Sequence, residues 1–530
     1  MSKSISRREA MKNLGGVALG SALFSQPGLA QAQSSPAPKA QPTAQKRHSS
    51  SQRPNILWIT GEGVPTAALS CYGSQLIKTP NIDRLAHEGM RFENSFTTNA
   101  LCAPSRATLL TGKYSHMNGM TTNPEDTIGQ YTPAHFDATQ QTFPKLLKEL
   151  GYQTGTVGKW HLPANPGEAG FDYFVFKKGA GGPYYDPNGY LQNPRLGSTE
   201  IEHASYPGYE TDTVTDLAIK GIQKFKETSD EPFMMMVQFF NDHRPFDPPH
   251  KYEHLYDNVR IPEPGTFWDD YSHRAAAAQE ARMRIEDMPD YDPPKDLTDR
   301  QRKQWNYQQF MSRFLGALHS QDDNIGRLLN FLDESGVAEN TVVVYTSDHG
   351  FFLGDHGWFD KRFMYEQALR VPLMVRYPGV VKAGSVQKEC AVNIDNAPTV
   401  LDIAGHAIPA EMQGKSLLPI LKGNIPTDWR TSLYYHYYEF ASNHWVFPHY
   451  GIRTEQYKLI YYYTVNEWEL FDLKKDPDEM DNLFEWSGYK VHPAYEKITN
   501  NLVAQLQQLR DMYQDKGGGT MKLWPTASYD

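Results

Sequence analysis

Short, almost wholly apolar runs that alternate with helix-spaced segments constrain this chain more than any other feature. Asn55–Thr60 (NILWIT), Phe233–Phe240 (FMMMVQFF) and Thr341–Thr346 (TVVVYT) carry apolar side chains toward both faces. Such strands belong inside a parallel sheet covered by helices on both sides. Thr154–Val157 and Arg370–Arg376 read as further strands. Asn81–Glu88 places Ile82, Leu85 and Ala86 together and predicts a short helix. Arg302–Leu332, with Phe310, Phe314, Leu318, Ile325 and Leu328 near helical spacing, predicts a long one. The fold class that follows is α/β with a central, mostly parallel sheet.

Polar residues gather where those strands end. Glu62 follows the first, Lys159 and His161 the second, Asp242 and His243 the third, and Asp348 and His349 the fourth. Open α/β sheets bind ligands beyond the carboxyl ends of their strands, so four such groups predict one site. Lys159 and His161 are two residues apart, and on an extended segment they face the same cleft.

Beyond Ser416 the texture changes. Leu433–Glu439, Tyr457–Thr464 and Glu467–Leu473 read as short antiparallel strands, and Pro493–Tyr513 as a last amphipathic helix. Together they predict a smaller C-terminal α+β subdomain over residues 416–530, after a catalytic domain over 53–415. At the other end, Ser6-Arg7-Arg8-Glu9-Ala10-Met11-Lys12, the apolar run Gly15–Phe24 and Ala30-Gln31-Ala32 read over residues 1–32 as a twin-arginine signal peptide with its cleavage pattern. Residues 33–52, rich in Ser, Pro, Gln and Ala, predict a disordered linker. The expected location is periplasmic or secreted, reached through the twin-arginine export machinery. No run approaches the ~18 apolar residues of a membrane span. A formal charge of −10 argues against nucleic acid as a partner.

Three cysteines, Cys71, Cys102 and Cys390, leave at least one thiol unpaired. Cys102 opens the most specific stretch in the chain, Cys102-Ala103-Pro104-Ser105-Arg106, which continues through Leu110-Thr111-Gly112-Lys113. This stretch resembles the signature of the type I sulfatases. The resemblance extends through Thr79-Pro80-Asn81-Ile82-Asp83, Gly158-Lys159-Trp160-His161, Ser347-Asp348-His349-Gly350, Met364-Tyr365-Glu366 and Trp468-Glu469-Leu470-Phe471-Asp472. It implies an alkaline-phosphatase-like sandwich and hydrolysis of sulfate esters, and the chain resembles bacterial glycan sulfatases of the N-acetylglucosamine-6-sulfatase-like group.

In that family a maturase oxidises the cysteine to formylglycine, so the resemblance implies this modification at Cys102. One hydroxyl of the hydrated aldehyde attacks sulfur and the other later expels sulfate, splitting one difficult step into two. Ser105-Arg106 is expected to open a helix whose N-terminus favours an anion near residue 102. The resemblance casts Arg106 as the holder of the hydrated aldehyde, Lys159 and Lys361 as sulfate-binding cations, His161 as the group that orients or deprotonates the diol, and a cationic His243 as the acid for the leaving alcohol. It casts Glu62, Cys102, Asp348 and His349 as ligands of Ca²⁺, with Mg²⁺ or another divalent cation open because imidazole is an unusual Ca²⁺ ligand. One departure stands out. The family has two adjacent acids after the first strand, and here Glu62 is followed by Gly63.

The aromatic stretch Tyr434–Tyr450, with His444 and His449, serves either a sugar or a subdomain interface, and the insertion Gly179–Tyr209 is a candidate second wall. A sulfated carbohydrate is the expected substrate. Two other readings stay open from the residues: a phosphonate monoester or phosphodiester hydrolase of the same superfamily, and a sulfated-glycan binding protein that has lost activity.

Overall fold

The computed structural model describes residues 53–124, 134–179, 181–187, 189–442, 444–485 and 490–523. Residues 1–52, expected to form a signal peptide and linker, lie outside the described residues. A ten-stranded mixed sheet forms the centre. Its strands are β1 (Asn55–Gly61), β2 (Met90–Phe92), β3 (Gln153–Lys159), β4 (Tyr173–Lys177), β5 (Tyr190–Gln192), β6 (Glu202–Ala204), β7 (Phe233–Gln238), β8 (Thr341–Ser347), β9 (Leu373–Arg376) and β10 (Ser385–Gln387), in the order β10-β2-β9-β8-β1-β7-β3-β4-β5-β6. The middle strands β8, β1, β7, β3 and β4 run parallel. Strand β9 and the edge strands β5 and β6 run antiparallel.

The apolar runs are continuous because both faces of these strands are covered. In β1, Leu57 and Ile59 enter one core while Ile56 and Trp58 enter the other. Met235 and Val237 oppose Met234 and Met236 in the same way, and Val343 and Tyr345 oppose Val342 and Val344. One face is covered by α1 (Pro80–Glu88), α3 (Glu210–Thr228) and the long α4 (Asp299–Glu334) through Leu85, Val214, Phe310 and Leu318. The other is covered by α2 (Cys102–Thr111) and α5 (Asn396–Ala404) through Ala107, Leu110, Val400 and Leu401. A capping box starts α4: the Thr298 side chain accepts from Gln301 N, and Thr298 N donates to Gln301 Oε1 at 3.0 Å.

A separate four-stranded antiparallel sheet follows: β11 (Ser432–Tyr437), β12 (His449–Thr454), β13 (Tyr457–Tyr462) and β14 (Glu467–Asp472), with the final helix α6 (Glu496–Met512). Leu502 and Leu506 of α6 share a core with Leu433, Ile452 and Leu470. Strand β12 was not expected; its Gly451 interrupts the apolar pattern because a Cβ there would lie 2.4 Å from Leu459 O. Helix α3 was not expected either. No helix among the described residues is long and apolar enough to cross a membrane.

Candidate active site

The parallel strands deliver their polar termini to one edge of the sheet. Glu62 follows β1, Lys159 closes β3, Gln238 closes β7, and Asp348 and His349 follow β8. Helix α2 brings Cys102 to the same edge at its first turn, three residues earlier than expected, and every residue of the helix is buried. Ser105 ties the helix to the neighbouring strand end by donating to Asp348 O at 2.5 Å, while Asn393 Nδ2 donates to Ser105 Oγ at 3.0 Å.

Glu62 is the hub. Its Oε1 lies 2.9 Å from Cys102 Sγ, 2.8 Å from Lys159 Nζ and 4.0 Å from Lys361 Nζ. Its Oε2 accepts from Arg106 Nη2 at 2.9 Å. Arg106 also donates to Asp348 Oδ2 (3.1 Å), Lys159 O (2.9 Å) and Gln238 Oε1 (2.8 Å). A guanidinium so engaged holds the two acids in place, and it also lies within electrostatic reach of Cys102.

Glu62, Cys102, Asp348 and His349 offer four donor atoms within 4.8 Å of one another. His349 Nδ1 donates to Gly350 O at 2.8 Å, which turns the Nε2 lone pair toward the cluster. Burial and the neighbouring Glu62 push the Asp348 carboxyl up to about 6. Burial opposes charge on His349, yet Asp348 and its other partners lift it to about 10. Two mutually repelling carboxylates and an imidazole drawn toward its charged form mark a spot where positive charge is stabilised. The donor set fits a divalent cation.

The opposite side of residue 102 favours negative charge. Burial and Glu62 push the Cys102 thiol up, but Lys159, Lys361 and a hydrogen bond with His161 outweigh them and hold it well below the usual thiol range. Burial opposes the charge on Lys361, while residue 102 and Asp360 hold it in its ammonium form. Burial, with Lys361 and Lys159, depresses His243 to about 3. The resemblance implied a cationic acid at this position, and burial with the two lysines opposes that charge in the free site. Its Nδ1 lies 3.1 Å from Arg244 O.

Residues 54–406 match the sulfatase family model, and residues 354–512 match the C-terminal model of N-sulphoglucosamine sulphohydrolase. The chain belongs to the sulfatase family. This sulfatase is 41% identical over 514 residues to the N-acetylglucosamine-6-O-sulfatase of Bacteroides thetaiotaomicron, covering 88% of this chain and 87% of that one. It is 30% identical over 360 residues to human N-acetylglucosamine-6-sulfatase, covering 66% of this chain and 61% of the other. A solved structure of a protein complexed with its substrate D-glucosamine-2-N,6-O-disulfate superposes with a TM-score of 0.78 at 40% identity, over 88% of this chain and 99% of that one. The phosphonate monoester hydrolase of Agrobacterium radiobacter, at 21% identity and a TM-score of 0.67 over 88% and 97% of the chains, shares the fold. The sandwich expected from sequence is the one observed, and the sulfatase is a sulfuric ester hydrolase.

Glu62, Cys102, Arg106, Lys159, His161, His243, Asp348, His349 and Lys361 come together at this edge, while the histidines of the aromatic stretch do not share one role. Strand β3 ends at Lys159, and His161 follows in a left-handed conformation (φ 59°) rather than on an extended segment. The turn still brings the imidazole to Cys102. The two histidines of the aromatic stretch separate. His449 is fully buried, donates through Nδ1 to Phe447 O (2.8 Å) and accepts from Met364 N (3.2 Å), so it is structural. His444 Nε2 lies 3.3 Å from Asp360 Oδ2, one residue from Lys361. The insertion mainly adds edge strands β5 and β6, although Tyr184 OH donates to Arg244 O at 2.9 Å and braces the His243 loop. Sequence reasoning passed over Gln238 and Asp360. Gln238, the one polar residue closing FMMMVQ, was the legible signal for the first.

Proposed function

We propose that this sulfatase removes O-sulfate from a sulfated carbohydrate, with a 6-O-sulfated glucosamine unit as the preferred substrate. The observation that carries the reading is the placement of residue 102 between a carboxylate–imidazole donor cluster and two buried lysines. The hydrated aldehyde formed from Cys102 supplies the nucleophilic hydroxyl; Glu62, Asp348, His349 and residue 102 would hold a divalent ion (Ca²⁺, Mg²⁺ or another), which would supply charge that favours ionisation of that hydroxyl. Lys159 and Lys361 bind the sulfate oxygens. His161 bonds the reacting group at residue 102 and orients it. A sulfate group between the lysines offsets the positive field that depresses His243, so the imidazole gains proton affinity when substrate is present and serves as acid for the alcohol.

Beside Lys361, Asp360 accepts from Arg362 and faces His444, while Arg362 Nε lies 3.6 Å from Glu439 Oε1. Asp360 and Arg362 hold φ at 79° and 96°, conformations that cost ~1–3 kcal/mol each in non-glycine residues and persist where surroundings or function demand them. A buried acid, guanidinium and imidazole suit the hydroxyls of a sugar ring. The names of the relatives support glucosamine as that ring.

The test is turnover of N-acetylglucosamine-6-sulfate, galactose-6-sulfate, and aryl sulfate, phosphate and phosphonate esters by protein from its own host. The expected result is sulfate release with the glucosamine ester preferred. Preference for an aryl phosphonate would overturn the reading. The sequence of residues 1–32 supports twin-arginine export to the periplasm or beyond, with the maturase acting on Cys102 before folding in the cytoplasm; cell fractionation checks the first, and mass spectrometry of the Cys102 peptide the second.

A further inference from the structure

Gly63 stands where the family carries a second acid, and its surroundings show what has changed. It adopts φ +64°, in the left-handed region, and a Cβ built on it would meet Phe351 Cδ2 at 3.1 Å and His349 Cε1 at 3.2 Å. A side chain at position 63 would be strained by that conformation and would press on the Phe351 and His349 rings. Gly63 N–H instead donates to Asp348 Oδ1 at 3.1 Å and steadies that carboxylate. His349 Nδ1 is committed to Gly350 O, while Nε2 lies 3.5 Å from Cys102 Sγ, 3.5 Å from Asp348 Oδ1 and 3.6 Å from Glu62 Oε1. At this centre an imidazole nitrogen stands beside two carboxylates and residue 102 as a fourth donor.

We propose that this donor set, with only two carboxylates and an imidazole, turns the centre from Ca²⁺ toward first-row transition ions such as Zn²⁺ and Co²⁺. The inference rests on the reading that the four donors hold a divalent cation. Ca²⁺ favours six to eight oxygen ligands in a flexible cage, whereas imidazole suits smaller, softer ions in sets of four to six. Glu62 and Asp348 also share their charge with Arg106, which weakens the purely electrostatic attraction on which Ca²⁺ depends.

The test uses full-length protein stripped with chelator, in a Cys102→Ser background so that residue 102 offers oxygen and no thiolate biases the choice. Calorimetric titration with Zn²⁺, Co²⁺ and Ca²⁺ is compared with the same titration after His349→Asn, and Co²⁺ is followed by its visible absorption. The expected result is at least ~10-fold tighter binding of Zn²⁺ and Co²⁺ than of Ca²⁺, a ratio that His349→Asn lowers by on the order of 10- to 100-fold while shifting the Co²⁺ bands. Ca²⁺ binding as tightly as the others, or an equal loss for all three ions in His349→Asn, would overturn the inference and leave the cation centre standing. Failure of every ion to bind would sink both readings. Should His349→Asn fail to fold, the ion ranking and the Co²⁺ spectrum of the Cys102→Ser protein decide.

Discussion

Replacing Arg106 by alanine tests whether this side chain is the clamp of the site. Its side chain is 2% exposed, and it is bonded to Glu62, Asp348, Gln238 and the Lys159 carbonyl. Removing one partner of a buried ion pair costs ~3–5 kcal/mol, because the remaining charge is left in a medium that solvates it poorly. Two carboxylates are left here, but Lys159 stays 2.8 Å from Glu62 and softens the loss, so ~4 kcal/mol is the expected penalty. At roughly 2.1 cal/mol/K per residue, a chain of this size has an unfolding entropy on the order of 1 kcal/mol/K, and the penalty becomes a fall of about 4 °C in melting temperature.

Scanning calorimetry of parent, Arg106→Ala and Arg106→Lys in chelator measures it. The lysine variant should fall between the other two, since one ammonium cannot span partners on four strand ends. A saturating divalent ion should narrow the gap, because the acids freed of Arg106 bind the ion more strongly and folded-state binding adds RT ln(1 + [L]/Kd), ~2.7 kcal/mol at one hundred times Kd. An alanine variant melting within about 1 °C of the parent in chelator would refute the clamp.

Cys102→Ala should lower sulfate ester turnover at least ~10³-fold with an unchanged melting profile, since the other site residues do not depend on the thiol for their main contacts. His243→Ala should slow sugar sulfates by ~10²–10⁴-fold but affect nitrophenyl sulfate far less, because a good leaving group needs no proton; equal losses on both would remove His243 as the acid. Asp322, on α4, accepts from Asn81 N and Ile82 N of α1, and burial raises it from 3.8 to about 6. A carboxyl raised on folding favours the native state fully below pH 4 and loses that contribution as pH climbs through 6. Urea titrations should therefore show Asp322→Asn gaining about 3 kcal/mol on the parent between pH 4 and pH 7, and a pH-independent difference would contradict the burial of this group.

The central sheet was legible because its strands are buried on both faces and need no periodicity to announce themselves. The C-terminal sheet was less so. Strand β12 (HYGIRT) carries a glycine set by the close approach of β13 and a histidine used as a core acceptor, so its composition resembles a loop. The site was legible where residue type alone fixes chemistry, as with Cys102, Lys159 and Asp348. It was not legible where conformation decides. Nothing in Lys159-Trp160-His161 reveals that the chain turns left-handed before His161, and no local pattern shows that the Arg106 donors are spent on Glu62, Asp348, Gln238 and a carbonyl. Those facts depend on elements that meet only in the folded chain.

The same dependence explains how a single acid can serve after the first strand. Glu62 divides its work between two oxygens: Oε2 anchors Arg106 and through it helix α2, while Oε1 faces residue 102, Lys159 and His349. A carboxylate fixed at one oxygen offers the other at a set angle; burial opposes its charge, but Lys159, His349 and Arg106 outweigh that and hold it well below the usual carboxylate range. A second acid at position 63 would add charge to a cluster in which Glu62 and Asp348 already repel each other strongly enough to raise Asp348. An imidazole adds a donor without adding that repulsion. Gly63 and His349 are therefore coupled, and restoring the acid alone, without shrinking the histidine, meets both the steric contact with the ring and the field of two carboxylates.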